Sequence, residues 1–201
     1  TLQKANLREM AGITVVGVWE RGKFKIPSAQ TLIESSTVLL LAGSTKQLEK
    51  YDDQFGHFQN HREPILILGG GRVGCAAAQA LQDQKIDYRI IEKDPSLITG
   101  DHYVLGSAAD INILRKAGIN EAPSVIITTR NDATNIYLTI YCRKLRPDIQ
   151  IISRANLAAN IWKLHEAGAD LVMSYASMAA NMIINLLKPG EQLMLAEGLN
   201  V

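Results

Sequence analysis

From Pro64 onward the chain alternates short, uniformly apolar runs with amphipathic ones in regular order, and nothing else in it constrains the fold as strongly. Strands are expected at 65–68, 88–91, 102–105, 124–128, 149–152 and 171–173. Helices are expected near 72–84, 110–117, 131–146, 156–167 and 175–188, with a shorter turn around 95–100. Strands this short and this apolar must be covered on both faces, which a parallel sheet between two helical layers provides, with right-handed crossovers. The expected fold class is α/β, a Rossmann-like doubly wound parallel sheet spanning residues 64–188.

Residues 1–55 read differently, as a small α+β unit. A helix-like piece at 2–10 leads to a strand at 13–19, a turn through Arg21 and Gly22, and a loop over 25–36 with a turn at Pro27. A strand at 37–41 and a helix over 44–55 follow; the strands are rich in Val, Ile, Thr and Leu, as a half-buried pleated surface requires. So small a unit buries its own core poorly and is expected to pack on a partner or to lack pieces. The opening at Thr1 reads as a cut from something longer. Residues 56–63, GHFQNHRE, form a polar linker closed by Pro64, and 189–201 reads as a tail. His57 and His61 have helical spacing, but without a third ligand nearby they read as solvated linker histidines, and no metal is assigned.

Composition excludes several classes. With 21 basic and 20 acidic residues the net charge is +1, so general attraction to nucleic acid or anionic lipid has no basis and any anion must be held locally. No apolar run is long enough to cross a bilayer, and no secretory signal opens the chain, so no direct membrane insertion is expected. Cys75 and Cys142 lie far apart in helical patterns and suit free thiols in a reducing compartment.

The chemistry concentrates after the first apolar strand, where Gly69, Gly71 and Gly74 form GxGxxG within GGGRVG and open an Ala-rich helix. The first Gly permits a tight turn, the second lets backbone approach a pyrophosphate, and the third brings helix against sheet. The helix start offers unpaired N–H groups to the anion. Arg72, beside Val73 in this loop, is placed to reach a phosphate, with a surface ion pair as the alternative. About twenty residues on, Glu92 ends the second strand, where a carboxylate accepts ribose hydroxyls and repels a 2′-phosphate. NAD(H) or an adenine nucleotide (ADP, ATP or AMP) is therefore expected in preference to NADP. Lys93 and Asp94 follow as ligand contacts or as a solvated turn. Ser107 and Ala108 follow the third strand, Thr128, Thr129 and Arg130 the fourth, and Arg154 the fifth. Carboxyl ends of parallel strands are where ligands sit in open α/β sheets, although Ser107 and Thr129 also suit capping or turns.

Taken together, ILILGGGRVG, IIEKDP, VLGSAADINILRKAGI, VIITTRNDATN, IISRAN and LHEAGADLVMS resemble the RCK domain, the TrkA-type nucleotide-binding domain that regulates potassium conductance. Ser107 stands where that family commonly has Asp, and Tyr175 where Pro is frequent. Residues 1–55 are similar to the later part of the family's companion C-terminal subdomain, TrkA-C. The resemblance implies a cytoplasmic ligand-sensing domain of a potassium channel or potassium transporter regulator. It also implies a tandem parent protein, a homodimer or larger gating ring, and a membrane pore or transporter subunit as partner. An NAD-dependent oxidoreductase is the alternative, since the fold hosts many functions. His102 and His165 are the available proton-transfer groups, and each reads better as a solvated or capping histidine, so no catalytic residue is assigned.

Overall fold

A computed structural model describes residues 1–20, 23–33, 37–55, 63–175, 179–180 and 183. The chain opens with α1 (Leu2–Ala5) and α2 (Leu7–Ala11) in place of the single helix expected over 2–10. Asn6 breaks it: its φ of 47° is left-handed, a conformation short polar side chains tolerate. β1 (Thr14–Glu20) pairs antiparallel with β2 (Lys23–Lys25) and β3 (Val38–Ala42), and α3 (Thr45–Phe55) follows. The β2 strand corrects the loop expected from residue 25 onward. Its sequence, Lys-Phe-Lys, carries the charge with which edge strands resist further pairing, and so lacks an apolar signature. The turn residues Arg21 and Gly22 lie outside the described residues. Leu7, Ala11 and Ile13 form the buried centre of this unit, with Val15, Leu39, Leu41 and Tyr51 packed against them.

The second sheet comprises β4 (Ile65–Leu68), β5 (Tyr88–Glu92), β6 (Tyr103–Leu105), β7 (Ser124–Ile127), β8 (Gln150–Ala155) and β9 (Leu171–Ser174). All neighbours are parallel, in the order β6-β5-β4-β7-β8-β9. Between them run α4 (Arg72–Asp83), α5 (Ile111–Ala117), α6 (Asp132–Leu145) and α7 (Ile161–Glu166). All four residues of β4 are buried, as the two-faced burial inferred from its sequence requires. Leu66 and Leu68 join Val125, Ile127, Leu114 and Leu138 in one cluster, whereas Ile65 and Ile67 join Ile90, Ile126 and Ala78 in the other. Alternate side chains of one strand thus feed both layers.

Sharp ends keep the helices short. Asp110 caps α5, its Oδ1 accepting from the Asn112 amide at 2.8 Å, and Gly118 ends it at φ 98°. Asn131 caps α6 by accepting from the Thr134 amide at 2.9 Å. α7 begins five residues later than expected: Asn156, Leu157 and Asn160 are bonded to the Asp132 carboxylate, and a single 3-10 turn over Ala158–Asn160 precedes the α-helix. Of the helix expected over 175–188, Tyr175, Ala179, Ala180 and Ile183 are helical and the remainder lies outside the described residues. So do residues 56–62 of the expected linker and the tail 189–201. No helix among the described residues is long and apolar enough to cross a membrane.

Candidate functional site

The strand order reverses between β4 and β7, so the loops leaving these two neighbours diverge and open a crevice at the carboxyl edge of the sheet. The glycine turn forms one wall. Gly69 has φ 113° and its amide donates to the Ile91 carbonyl at 2.9 Å, which locks the turn to β5. At Gly74 an added Cβ would stand 1.9 Å from the Gly69 carbonyl oxygen, so this glycine lets α4 pass under its own loop. Gly71 is the opposite case: a Cβ there would meet nothing within 4 Å. It is the N-cap of α4, no side chain bonds to this end of the helix, and the partial positive charge of twelve aligned peptides is left facing the crevice.

Glu92 faces this turn and is 8% exposed. Its Oε2 accepts from the Gly70 amide at 2.7 Å, and Oε1 accepts from the Lys93 and Asp94 amides at 2.8 and 2.9 Å. A carboxylate offers about four lone-pair sites. Three are filled by backbone, so Glu92 can take one ribose hydroxyl without giving up a bond, not both as its position in the sequence suggested. Asp94 forms the turn, its Oδ1 accepting from the hydroxyl and amide of Ser96, bonds that hold its carboxyl below the usual range, and it also borders the crevice.

Two cavities meet at the crevice. The first, of about 450 Å³, is lined by Gly69, Gly71, Glu92, Lys93, Ser107, Ala108, Thr128, Thr129 and Arg130, all expected from sequence. Asp94 and Gly106 also line it, as do Ile91, Leu97, Ala109, Asn131, Thr134, Tyr137 and Leu138, which sequence reasoning missed. Tyr137 and Leu138 were legible only as part of an apolar helix face, and nothing local marked that face as a ligand wall. The second cavity, of about 970 Å³, shares Gly71, Thr128 and Arg130 with the first and runs along α4 past Ala76 and Ala80 to Met173 and Tyr175. Arg72, Val73 and Arg154 line this second cavity and not the first. Gly74 lines neither.

Several of these side chains have structural partners as well. Thr128 Oγ1 donates to the Gly69 carbonyl at 2.8 Å, tying β7 to the glycine turn. Thr129 Oγ1 donates to Asn135 Oδ1 at 2.5 Å, and Ser107 Oγ accepts from the Ala109 amide at 3.2 Å, so both expected turn roles are real. Arg154 bonds through Nη2 to Asn156 Oδ1, and its guanidinium lies over the Tyr175 ring at 5.1 Å. Lys93, Arg130, Arg72 and Arg154 thus bring cationic groups to the two cavities, as a polyphosphate requires. His102 stacks on Tyr88 at 4.7 Å, and His165 is buried with Nδ1 3.1 Å from the Ala169 carbonyl; neither lines either cavity. The buried Cys142 thiol is pushed up to about 12 by desolvation, which makes it a core side chain and not a nucleophile.

A six-stranded parallel sheet that reverses at β4, a glycine turn into a helix, and an acid ending the second strand together define a nucleotide-binding protein fold of the Rossmann type. The TrkA-N domain is matched over residues 65–175, more than half of the chain, and the chain belongs to this family. It is similar to the GsuK channel bound to NAD, at 40% identity over 93% of this chain and 34% of that one, with a TM-score of 0.69. A structure of GsuK bound to ADP is similar at 44% identity over 65% of this chain and 35% of that one, with a TM-score of 0.58. Potassium channel protein 1 of Methanocaldococcus jannaschii is 33% identical over 135 residues, which are 62% of this chain and 38% of that protein. The chain therefore spans well under half the length of these relatives.

Proposed function

We propose that this chain is a cytoplasmic ligand-sensing part of a potassium channel or potassium uptake regulator, and that it binds NAD(H) or an adenine nucleotide to control ion transport through subunit rearrangement. The observation that carries this reading is the open approach at Gly71, at the uncapped start of α4, with the Glu92 carboxylate fixed across the turn. Relatives named as bound to NAD and to ADP support it. In this reading the crevice residues from Gly69 to Arg130 hold the nucleoside and phosphates, and Arg72, Val73 and Arg154 act on whatever part of the ligand reaches the second cavity. Residues 64–188 form the nucleotide-binding unit and 1–55 part of a companion TrkA-C-like unit.

A sensor must bind without turnover. NAD(H) or ADP is expected to raise the thermal midpoint with no change in nicotinamide absorbance, and Glu92→Ala to remove that rise. Oxidation of the reduced nicotinamide with any member of a substrate panel would turn the reading to the oxidoreductase. A sensor also needs an interface, because a ligand shifts only an equilibrium between states it binds differently. On α6, Tyr137 and Ile140 are 51% and 40% exposed, and the Tyr137 ring stacks on Tyr141 at 5.8 Å, an apolar face suited to a second copy. Light scattering at high concentration is expected to give a dimer or larger assembly; a monomer there contradicts it.

A further inference from the structure

Trp19 belongs to the small sheet but is not buried by that sheet's own core. Ile13 and Val15 face the cluster containing Leu39 and Leu41. The register shift between Val15 and Gly17 inserts Val16 as a bulge and moves the alternation along by one residue. Val18 then opposes Leu39, and Trp19, opposite Val38, points to the other face. There its indole meets the ring of His165 on α7 edge-on, with centroids 6.1 Å apart and planes at 62°, and it is 6% exposed. Its Nε1 is buried with no hydrogen-bond partner among the described residues. Burial of the ring stabilises this seat and the unmet N–H offsets part of that gain, so the seat is weaker than one in which the indole N–H is bonded.

The other end of α7 is tied to the crevice. Both carboxylate oxygens of Asp132 are used: Oδ1 accepts from the amide and side chain of Asn156, and Oδ2 from the Leu157 amide and the Asn160 side chain, at 2.7 to 3.0 Å. Asn135 Nδ2 donates to the Arg154 and Thr129 carbonyls at 2.8 and 3.2 Å. Thr129, Asn131 and Thr134 line the first cavity. A ligand that draws this rim inward moves the same turn that carries Asp132, and with it the start of α7.

We propose that α7 couples occupancy of the nucleotide crevice to the seat of Trp19, so that ligand changes how firmly the small sheet docks on the larger one; this rests on the nucleotide reading above. Trp162→Phe leaves Trp19 as the one tryptophan of the chain, since the sequence has two. In that chain, NAD or ADP is titrated while calorimetry, Trp19 emission excited beyond the adenine band, and acrylamide quenching are followed. The emission shift should saturate at the calorimetric midpoint, and Asp132→Asn should keep the heat while losing the emission response. Binding heat with unchanged emission and quenching overturns the coupling alone, whereas neither heat nor a thermal shift overturns the nucleotide reading and the coupling with it. Without ligand, Asn160→Ala should move Trp19 emission to longer wavelength, and Asp110→Ala, which uncaps α5, should not. Identical spectra for the parent and Asn160→Ala chains would also sink the coupling.

Discussion

Three glycines of one motif have three different physical roles, and substitution separates them. A Cβ at Gly74 would collide with the Gly69 carbonyl, which cannot move without unpicking its bond from Thr128. Gly74→Ala is expected to cost about 3 kcal/mol or more in stability, read by denaturant unfolding. Gly71→Ala has free space and an ordinary φ of −72°, so stability should change by less than about 0.5 kcal/mol. The new methyl nevertheless projects where a phosphate would approach, and calorimetry should show nucleotide affinity lost in a fully folded protein. At Glu92 both effects fall on one residue. Removing the carboxylate leaves the Gly70, Lys93 and Asp94 amides without their acceptor as well as removing the proposed ribose contact. Glu92→Ala should therefore lower stability by about 1–3 kcal/mol in addition to ending the nucleotide response.

Among the elements, α6 organises the far half of the sheet. From its last turns Arg143 donates to the carbonyls of Pro147 and Ile149 at 2.8 and 2.6 Å, to the Gly168 carbonyl at 2.9 Å and to Asp170 Oδ2 at 2.7 Å. Asp170 is 1% exposed and also accepts from the Ile151 amide, so it joins β8 to the start of β9. Arg143→Ala strands a buried carboxylate and should cost about 3–5 kcal/mol, with loss of cooperative unfolding in the β8–β9 region by hydrogen exchange. α7 supplies a pH dependence of known sign. Burial lowers the His165 pKa, more strongly than the Ala169 carbonyl and Asp170 raise it. Below the unfolded value of about 6.5 the unfolded chain binds the extra proton first, so stability is complete above that pH and falls as pH drops toward the lowered folded value. Asp132 titrates in a lower range. Burial raises its pKa, but the bonds from Asn160, Asn156 and Leu157 outweigh that and lower it, so its contribution persists until pH falls below the ordinary carboxylate range. Thermal midpoints measured from about pH 7.5 down to 5.5 should decline in the parent, and His165→Phe should flatten the decline.

At the scale of the whole molecule, the ligand preference proposed above rests on Glu92. A carboxylate already filled by three backbone donors cannot turn away to make room for a 2′-phosphate, so calorimetry should show NAD bound more tightly than NADP; equal affinities would refute this role. Much of this was legible in the order of residues. The apolar runs at Ile65–Leu68 and Ser124–Ile127 signal strands buried on both faces, and their alternation with helices implies a parallel sheet. The spacing from the glycines to Glu92 locates the crevice. These features depend on periodicity and on backbone conformations that particular residues permit, which are local properties.

What only the tertiary structure decided is how distant groups share space and hydrogen bonds. Arg72, Val73 and Arg154 are near the crevice in sequence logic, yet they line a second cavity because α4 and β9 face each other there. The free acceptor capacity of Glu92 depends on three amides, one of them from a loop 22 residues away. α7 starts late, after the segment in which Asp132 holds Asn156 and Asn160, and Trp19 leaves its own sheet's core because one bulged residue shifts the alternation of β1. Residue order determines which groups can bond and which faces must be buried; only packing decides which of the competing partners each group obtains.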